Sequence, residues 1–210
     1  MIFKIKPNQH FTIMKKLFTF CSIVLSFTIY SQNIQTELFL NENQIDNDFK
    51  SDVRIEKLFR KSNKDSILVI AEIKNDSLFS IYVKNNTQED LQFIPQDNKL
   101  CIIQEALTQD KNWKPIEFWV NSDCGISYLK KINVKFGEII GLRSKKYYGN
   151  FKTKIRFKLL INGKVYYSNS ITASINKSKF AKSIWYNQIK EIYYPNKSEK
   201  EVENILFLNK

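Results

Sequence analysis

Histidine is nearly absent from this sequence, because His10 is the one histidine among 210 residues. It precedes the end of a segment that we expect to be removed from the mature protein. Without histidine, a chain cannot build a Ser-His-Asp or Cys-His catalytic group, or the usual histidine-containing zinc sites. The sequence also lacks a GxGxxG motif, a P-loop and a CxxC motif. We therefore predict no enzyme activity, no catalytic residue, no metal site and no cofactor.

Arginine is scarce although the chain is basic. The net charge is +12, yet only four of the 33 basic residues are arginines. Proteins that bind bases and phosphates favour the forked guanidinium group. The lysines are scattered among asparagines and isoleucines, a pattern typical of a solvated surface. We therefore expect no nucleic-acid partner.

Cysteine is scarce too, and of the three cysteines only Cys101 and Cys124 follow the segment that we expect to be removed. An exported protein can keep a disulfide, because its compartment is oxidising. We predict a Cys101–Cys124 disulfide. The alternative is two buried thiols, which pack like small apolar side chains.

An export signal is predicted over residues 1–31, with Met14 as the expected true start. Lys15 and Lys16 precede an apolar run over residues 17–29, and Ser31 is a suitable small residue for cleavage. The run is shorter than the roughly 20 residues of a membrane-spanning helix. We expect a mature chain that begins at Gln32 and has no membrane span. Its location would be periplasmic, outer-membrane-associated or extracellular.

Residues 64–175 have the pattern of a domain made of short strands. Runs such as SILVIAEI and LFSIYVK are rich in β-branched and aromatic residues and are separated by polar turns. In the second run Phe79, Ile81 and Val83 alternate with polar positions, which predicts one buried face and one wet face. No helical pattern separates the strands, so an antiparallel β-sandwich is favoured over a parallel α/β sheet.

The clearest single element is a hairpin around Asn162-Gly163. This dipeptide supplies the two positive φ angles of a type I′ turn, and the resulting register pairs Leu159 with Tyr166. Alternation then gives the outward-facing residues of the hairpin as Lys154, Arg156, Lys158, Tyr167 and Asn169.

The flanking segments have different patterns. The N-terminal extension, 32–63, contains VRIEKLF, which fits either a strand or a short helix. The C-terminal extension, 176–210, shows helical spacing and a capping box formed by Ser198 and Glu201. We expect one or two helices there, docked on the sandwich.

Large aromatic side chains are concentrated over residues 113–128. If Phe118 faces the core, alternation along the strand turns Trp119 outward. Exposed aromatic rings can stack on sugars or anchor a protein partner. The alternative is that Trp113 and Phe118 belong to the core. The predicted binding residues are Trp119, Tyr128, Arg156 and Tyr167.

A histidine-free hydrolase remains a second alternative, because glycosidases can use two carboxyl groups alone. Glu105, Glu117 and Asp123 lie in the central region. No spacing in the sequence pairs them, and we expect them to be surface or turn residues.

Two groups of segments resemble a known type of protein. The first is WKPIE over 113–117, with CG over 124–125 and SY over 127–128. The second is YGNFKTKIRF over 148–157, with YYSN over 166–169 and SIN over 174–176. Across about residues 78–180 the chain resembles uncharacterised secreted immunoglobulin-like proteins of the Bacteroidetes type. The resemblance implies an envelope-located, immunoglobulin-like fold, and it implies no activity and no site residue.

Taken together, these features predict a mainly β protein, an antiparallel immunoglobulin-like β-sandwich with one or two C-terminal helices. We expect an exported, non-catalytic binding or structural protein of the cell envelope. An envelope or extracellular protein is the default partner, and a glycan bound by surface aromatic residues is the alternative.

Overall fold

The computed structural model describes residues 39–60 and 66–209, and this part of the chain is mainly β. The predicted export signal and its cleavage site lie outside the described residues. Within the described part, no helix has the length and apolar character needed to cross a membrane. The predicted fold class is confirmed at the level of a mainly β chain with antiparallel sheets and few helices.

The strands and helices follow in chain order. The strands are β1 (Phe39–Leu40), β2 (Gln44–Ile45), β3 (Ser66–Ile73), β4 (Leu78–Asn86), β5 (Leu91–Phe93), β6 (Ile102–Leu107), β7 (Trp113–Pro115), β8 (Glu117–Phe118), β9 (Ile132–Val134), β10 (Ile139–Lys145), β11 (Phe151–Ile161), β12 (Lys164–Tyr167) and β13 (Ile171–Ile175). The α-helices are α1 (Val53–Leu58), α2 (Ile184–Tyr193) and α3 (Glu199–Leu206), and 3-10 helices cover Gly125–Tyr128 and Lys177–Phe180.

Two larger sheets carry the fold. Sheet I has the order β2-β10-β4-β3, and sheet II has the order β12-β11-β6-β7, with β13 also paired to β11. All of these pairs are antiparallel. The small β5–β9 pair is antiparallel and the small β1–β8 pair is parallel. A bridge between Val69 and Ser168 joins the edge of sheet I to sheet II.

The main hydrophobic core lies between the two sheets. Phe79 and Ile81 from β4 and Phe157 and Leu159 from β11 are all at most 1% exposed. The rings of Phe79 and Phe157 meet edge to face, with centroids 5.6 Å apart. Alternate residues of facing strands therefore meet in the interior, as the period of two predicts.

The prediction of a wet face on β4 is wrong, because α1 covers it. Asp52 caps α1 by accepting a hydrogen bond of 2.8 Å from the backbone N–H of Ile55. Ile55 and Phe59 pack with Tyr82, which is only 6% exposed. The segment VRIEKLF, which fitted a strand or a helix, is thus a helix at its first six residues and buries the outer side of sheet I.

Two C-terminal helices cover part of the outer face of sheet II. Tyr186 of α2 and Leu206 of α3 are fully buried and pack with Ile103 of β6. The predicted capping box is present, since Ser198 and Glu201 exchange hydrogen bonds at the start of α3. The helices leave the rest of this face open, and the residues there form the candidate site.

The predicted hairpin and its register are confirmed. Asn162 and Gly163 have φ angles of 46° and 69°, and Leu159 lies opposite Tyr166. Among the residues predicted to face outward, Lys158 is buried and is only 3% exposed. Its ammonium donates a hydrogen bond to Asn209, which follows α3 and covers this part of the strand.

Candidate functional site

Arg156 is stacked between two aromatic rings on the outer face of sheet II. Its guanidinium carbon lies 4.0 Å from the centroid of the Tyr167 ring and 4.4 Å from that of the Trp113 ring. Such contacts contribute about 0.5–1 kcal/mol each at exposed sites. Tyr167 is 46% exposed, and Trp113 is half-buried. We call Trp113, Arg156 and Tyr167 the aromatic–arginine cluster.

Glu105 fixes the orientation of the Arg156 side chain. The two residues lie directly opposite each other on β6 and β11. Arg156 Nε and Nη2 lie 2.7 and 2.6 Å from Glu105 Oε2, while Lys158 Nζ lies 3.6 Å from Oε1. Burial lowers the pKa of Lys158, and the Glu105 carboxylate opposes that shift. The guanidinium is therefore held in place by the Glu105 carboxylate and by the rings of Trp113 and Tyr167.

The structure brings together two of the predicted binding residues, Arg156 and Tyr167. It adds Trp113, which was not among the predicted binding residues and for which a core position was the alternative. The signal for Trp113 was weak, because β7 has only three residues and its alternation is too short to interpret. Trp113 lies on an edge strand of sheet II, and this position leaves its ring half-buried beside Arg156.

Trp119 does not face solvent, contrary to the prediction. It is 6% exposed and packs with Phe118 and Tyr186 in the cluster beneath the C-terminal helices. Its backbone N–H donates to the carbonyl of Leu206, at 2.8 Å, and its indole Nε1 donates to Asn121 Oδ1, also at 2.8 Å. Alternation placed Trp119 on the side opposite Phe118, but the helices cover that side too.

Tyr128 belongs to a separate loop cluster. It ends a 3-10 helix, and its hydroxyl lies 2.9 Å from Gln96 Oε1 and 3.0 Å from the Ser122 carbonyl oxygen. Burial raises its pKa. These contacts hold the Tyr128 hydroxyl within the loop, and its predicted binding role stays a prediction.

The structure does not show the predicted disulfide, and Cys101 and Cys124 are both free thiols in it. Cys101 is half-buried next to the cluster under the C-terminal helices, and burial raises its pKa to about 12. Its carbonyl accepts the Leu160 N–H at 2.9 Å, which fixes it to sheet II. Cys124 is instead exposed at the start of the 3-10 helix.

Glu117 is the least expected residue of the interior. We predicted a surface position, yet it is 0% exposed. Its two carboxyl oxygens accept hydrogen bonds from Asn41 Nδ2, Tyr147 Oη, and both the backbone N–H and Nε2 of Gln104, at 2.7 to 2.9 Å. Burial raises the pKa of Glu117 to about 7, although these donors and the ammonium of buried Lys179 lower it.

The carboxyl groups named for a hydrolase do not share a cleft. Gln104 and Glu105 are neighbours on β6 and therefore point to opposite faces of sheet II. Glu117 bonds to Gln104 inside the protein, whereas Glu105 pairs with Arg156 on the outer face. Asp123 lies in an exposed loop. Across residues 39–60 and 66–209, no group of three His, Cys, Asp or Glu side chains is arranged to hold a metal ion.

Comparison with family models, with curated proteins and with solved structures found no match for this chain. The resemblance to secreted immunoglobulin-like proteins therefore stays a hypothesis.

Proposed function

We propose that this chain is an exported, non-catalytic protein with an immunoglobulin-like sandwich that binds an envelope or extracellular protein through the aromatic–arginine cluster. The observation that carries the proposal is the Arg156 side chain, stacked between Tyr167 and Trp113 and held by Glu105 on an open part of sheet II. The sandwich part is supported by two facing antiparallel sheets that share one core.

The residue types of the cluster support a binding role. Tryptophan, tyrosine and arginine are the side chains that most often dominate protein–protein binding energy. In this cluster all three are already fixed, so a partner would order few side chains on binding. Less conformational entropy is then lost, and pre-organised surfaces gain affinity in this way.

The non-catalytic part is supported by the positions of the acids. Glu105 is neutralised by Arg156 and Lys158 on the outer face, and Glu117 is enclosed by four hydrogen-bond donors. A glycosidase needs two carboxyl groups on either side of one substrate bond, about 5–9 Å apart in a cleft. Opposite faces of a sheet do not provide this arrangement.

The glycan alternative has less support in the structure than a protein partner. Its strongest candidate for stacking was Trp119, which is buried. In the cluster, the guanidinium of Arg156 covers one face of the Tyr167 ring and one face of the Trp113 ring.

A site-specific photo-crosslink tests the binding surface. A photoreactive residue at exposed Lys154, two positions from Arg156 on β11, should give one discrete protein adduct in intact cells. The matched control is the same residue at exposed Lys131, which precedes β9 and lies outside sheet II. The adduct at Lys154 should disappear when Trp113 and Tyr167 are both replaced by alanine. Equal adducts at both positions, or no adduct at Lys154, would contradict the proposal.

Export is tested separately by the intact mass of protein recovered outside the cytoplasm. We expect a chain that begins near Gln32. A chain that retains residues 1–31 and sediments with membranes would contradict the cleaved signal.

A further inference from the structure

We infer that the aromatic–arginine cluster continues into a basic stripe along β11, and that together they accept an extended acidic segment of a partner protein. The basic stripe is Lys152, Lys154 and Arg156. This inference rests on the proposed function, since it names the chemistry of the partner that the same surface binds.

The stripe follows from the geometry of one long strand. Residues 152, 154 and 156 alternate along β11 and therefore project from the same face, about 6.8 Å apart at 3.4 Å per residue. Lys152 and Lys154 are exposed. Their neighbours across β13 are Ser174 and Thr172, which carry no charge. The stripe is thus a row of cations at a regular spacing.

The charge on this face is unbalanced. Among the described residues that project from the outer face of sheet II, Glu105 is the one acid, and it is already shared by Arg156 and Lys158. No described carboxylate lies opposite Lys152 or Lys154 in the register of β13. A partner that supplies carboxylates would therefore complement the surface, and complementary charge increases both association rate and specificity.

The spacing of the cations in the basic stripe favours an extended peptide over other acidic ligands. Side chains on one side of an extended chain recur every second residue, at the same distance of about 6.8 Å. Acidic residues at alternate positions can thus meet successive cations of the stripe. Glu105 accepts from Nε and Nη2 of Arg156, and a guanidinium has five N–H donors, so donors remain for a second carboxylate. Tyr167 and Trp113 flank that position.

Fluorescence anisotropy with the mature chain and synthetic peptides tests the inference. The probe is a labelled peptide of about twelve residues with glutamate at every second position and threonine between, a length that covers the stripe. The comparison peptide has the same composition with its glutamates in one block. We expect the alternating peptide to bind more tightly than the block peptide at low ionic strength, and binding to weaken with added salt because exposed charges are screened.

Charge reversal locates the binding. K152E/K154E should weaken binding of the alternating peptide about tenfold, which corresponds to about 1.4 kcal/mol. The matched control is K131E/K135E, two exposed lysines that flank β9 and give the same change in net charge. The control should alter binding less than about twofold, the scale expected of distant surface charges.

Three results would overturn the inference. One is the absence of binding at low salt, and another is an equal loss with both double variants, which would indicate unspecific attraction to a basic protein. The third is tighter binding of polygalacturonate than of either peptide, lost with K152E/K154E, which would replace the acidic peptide by an acidic glycan. If the Lys154 cross-link to a protein persists while no acidic peptide binds, the proposed function stands and this inference fails.

Discussion

The carboxamide of Asn169 pairs with both backbone groups of Ala71. Its Oδ1 accepts the Ala71 N–H at 2.8 Å, and its Nδ2 donates to the Ala71 carbonyl at 3.0 Å. Ala71 lies on β3, an edge strand of sheet I. Asn43 makes the same two-bond contact with Leu100. The Asn169 contact satisfies two groups of an edge strand that would otherwise be open to pairing with another chain.

Replacing Asn169 by alanine should lower the free energy of unfolding by about 1–3 kcal/mol, because two backbone groups of Ala71 lose their partners. Denaturant titration measures the change. Ser170→Ala, at the next exposed position, is the matched control and should change stability by less than about 0.5 kcal/mol. Equal midpoints for both variants would show that the edge contact does not stabilise the fold.

Alanine substitutions of Trp119 and Trp113 should have different effects, the first mainly on stability and the second mainly on binding. Trp119→Ala removes a buried indole and should cost about 3–5 kcal/mol of stability. Trp113→Ala removes a half-buried ring on an edge strand and should cost less stability, but it should weaken the binding proposed for the aromatic–arginine cluster. Thermal unfolding and the Lys154 cross-link measure the two effects. A folded Trp119→Ala variant of normal stability would refute the burial of that side chain.

Glu117 should make stability depend on pH. Burial raises its pKa from 4.5 to about 7, so between these values the native state holds a proton that the unfolded state has released. The contribution to stability is therefore present at acidic pH and is lost as pH rises from about 4.5 through about 7. The free energy of unfolding should therefore fall by up to about 3 kcal/mol as pH rises across this range. Denaturant titrations at several pH values measure this fall.

The control for this effect is Glu117→Gln, which does not titrate. Whatever its absolute stability, the free energy of unfolding of this variant should fall less steeply between pH 4.5 and 7 than that of the parent chain. A slope identical to that of the parent chain would mean that Glu117 has the same charge in both states over this range.

The two thiols should react with an alkylating reagent at different rates without prior reduction. Cys124 is exposed and should be labelled first. Cys101 should be labelled slowly, because burial limits access and raises its pKa to about 12, which keeps it protonated. Cys124→Ser should abolish the fast phase. If labelling of the native protein required a reductant, the two cysteines would form a disulfide after all.

Local patterns predicted the parts of the fold that depend on neighbours in sequence. The Asn162-Gly163 turn, the pairing of Leu159 with Tyr166 and the capping box at Ser198 all follow from short-range geometry. The mainly β, antiparallel character followed from many such segments. These features are set within a few residues, so distant parts of the chain do not change them.

The wrong predictions of which side chains are exposed have a common physical cause. Alternation along a strand determines which residues share a face, but it does not determine whether a distant helix covers that face. Tyr82 is covered by α1, and Trp119 and Lys158 are covered by the C-terminal segment. Glu117 was misplaced for a related reason, because its four donors come from three separate regions of the chain. The Trp113–Arg156 contact likewise joins β7 and β11, which are far apart in sequence.

The pairing of β1 with β8 and of β2 with β10 has a consequence for the order of folding. Strands β1 and β2 leave the ribosome early, but their partners are complete only when residues 118 and 145 have been made. Closing such long loops early is entropically costly, so these contacts are expected to form late. Strands β1 and β2 therefore do not both have these partners until the chain has been made as far as residue 145. For a chain exported as proposed above, this delay would favour translocation in an unfolded form, because strands that have already paired would have to be separated before passage.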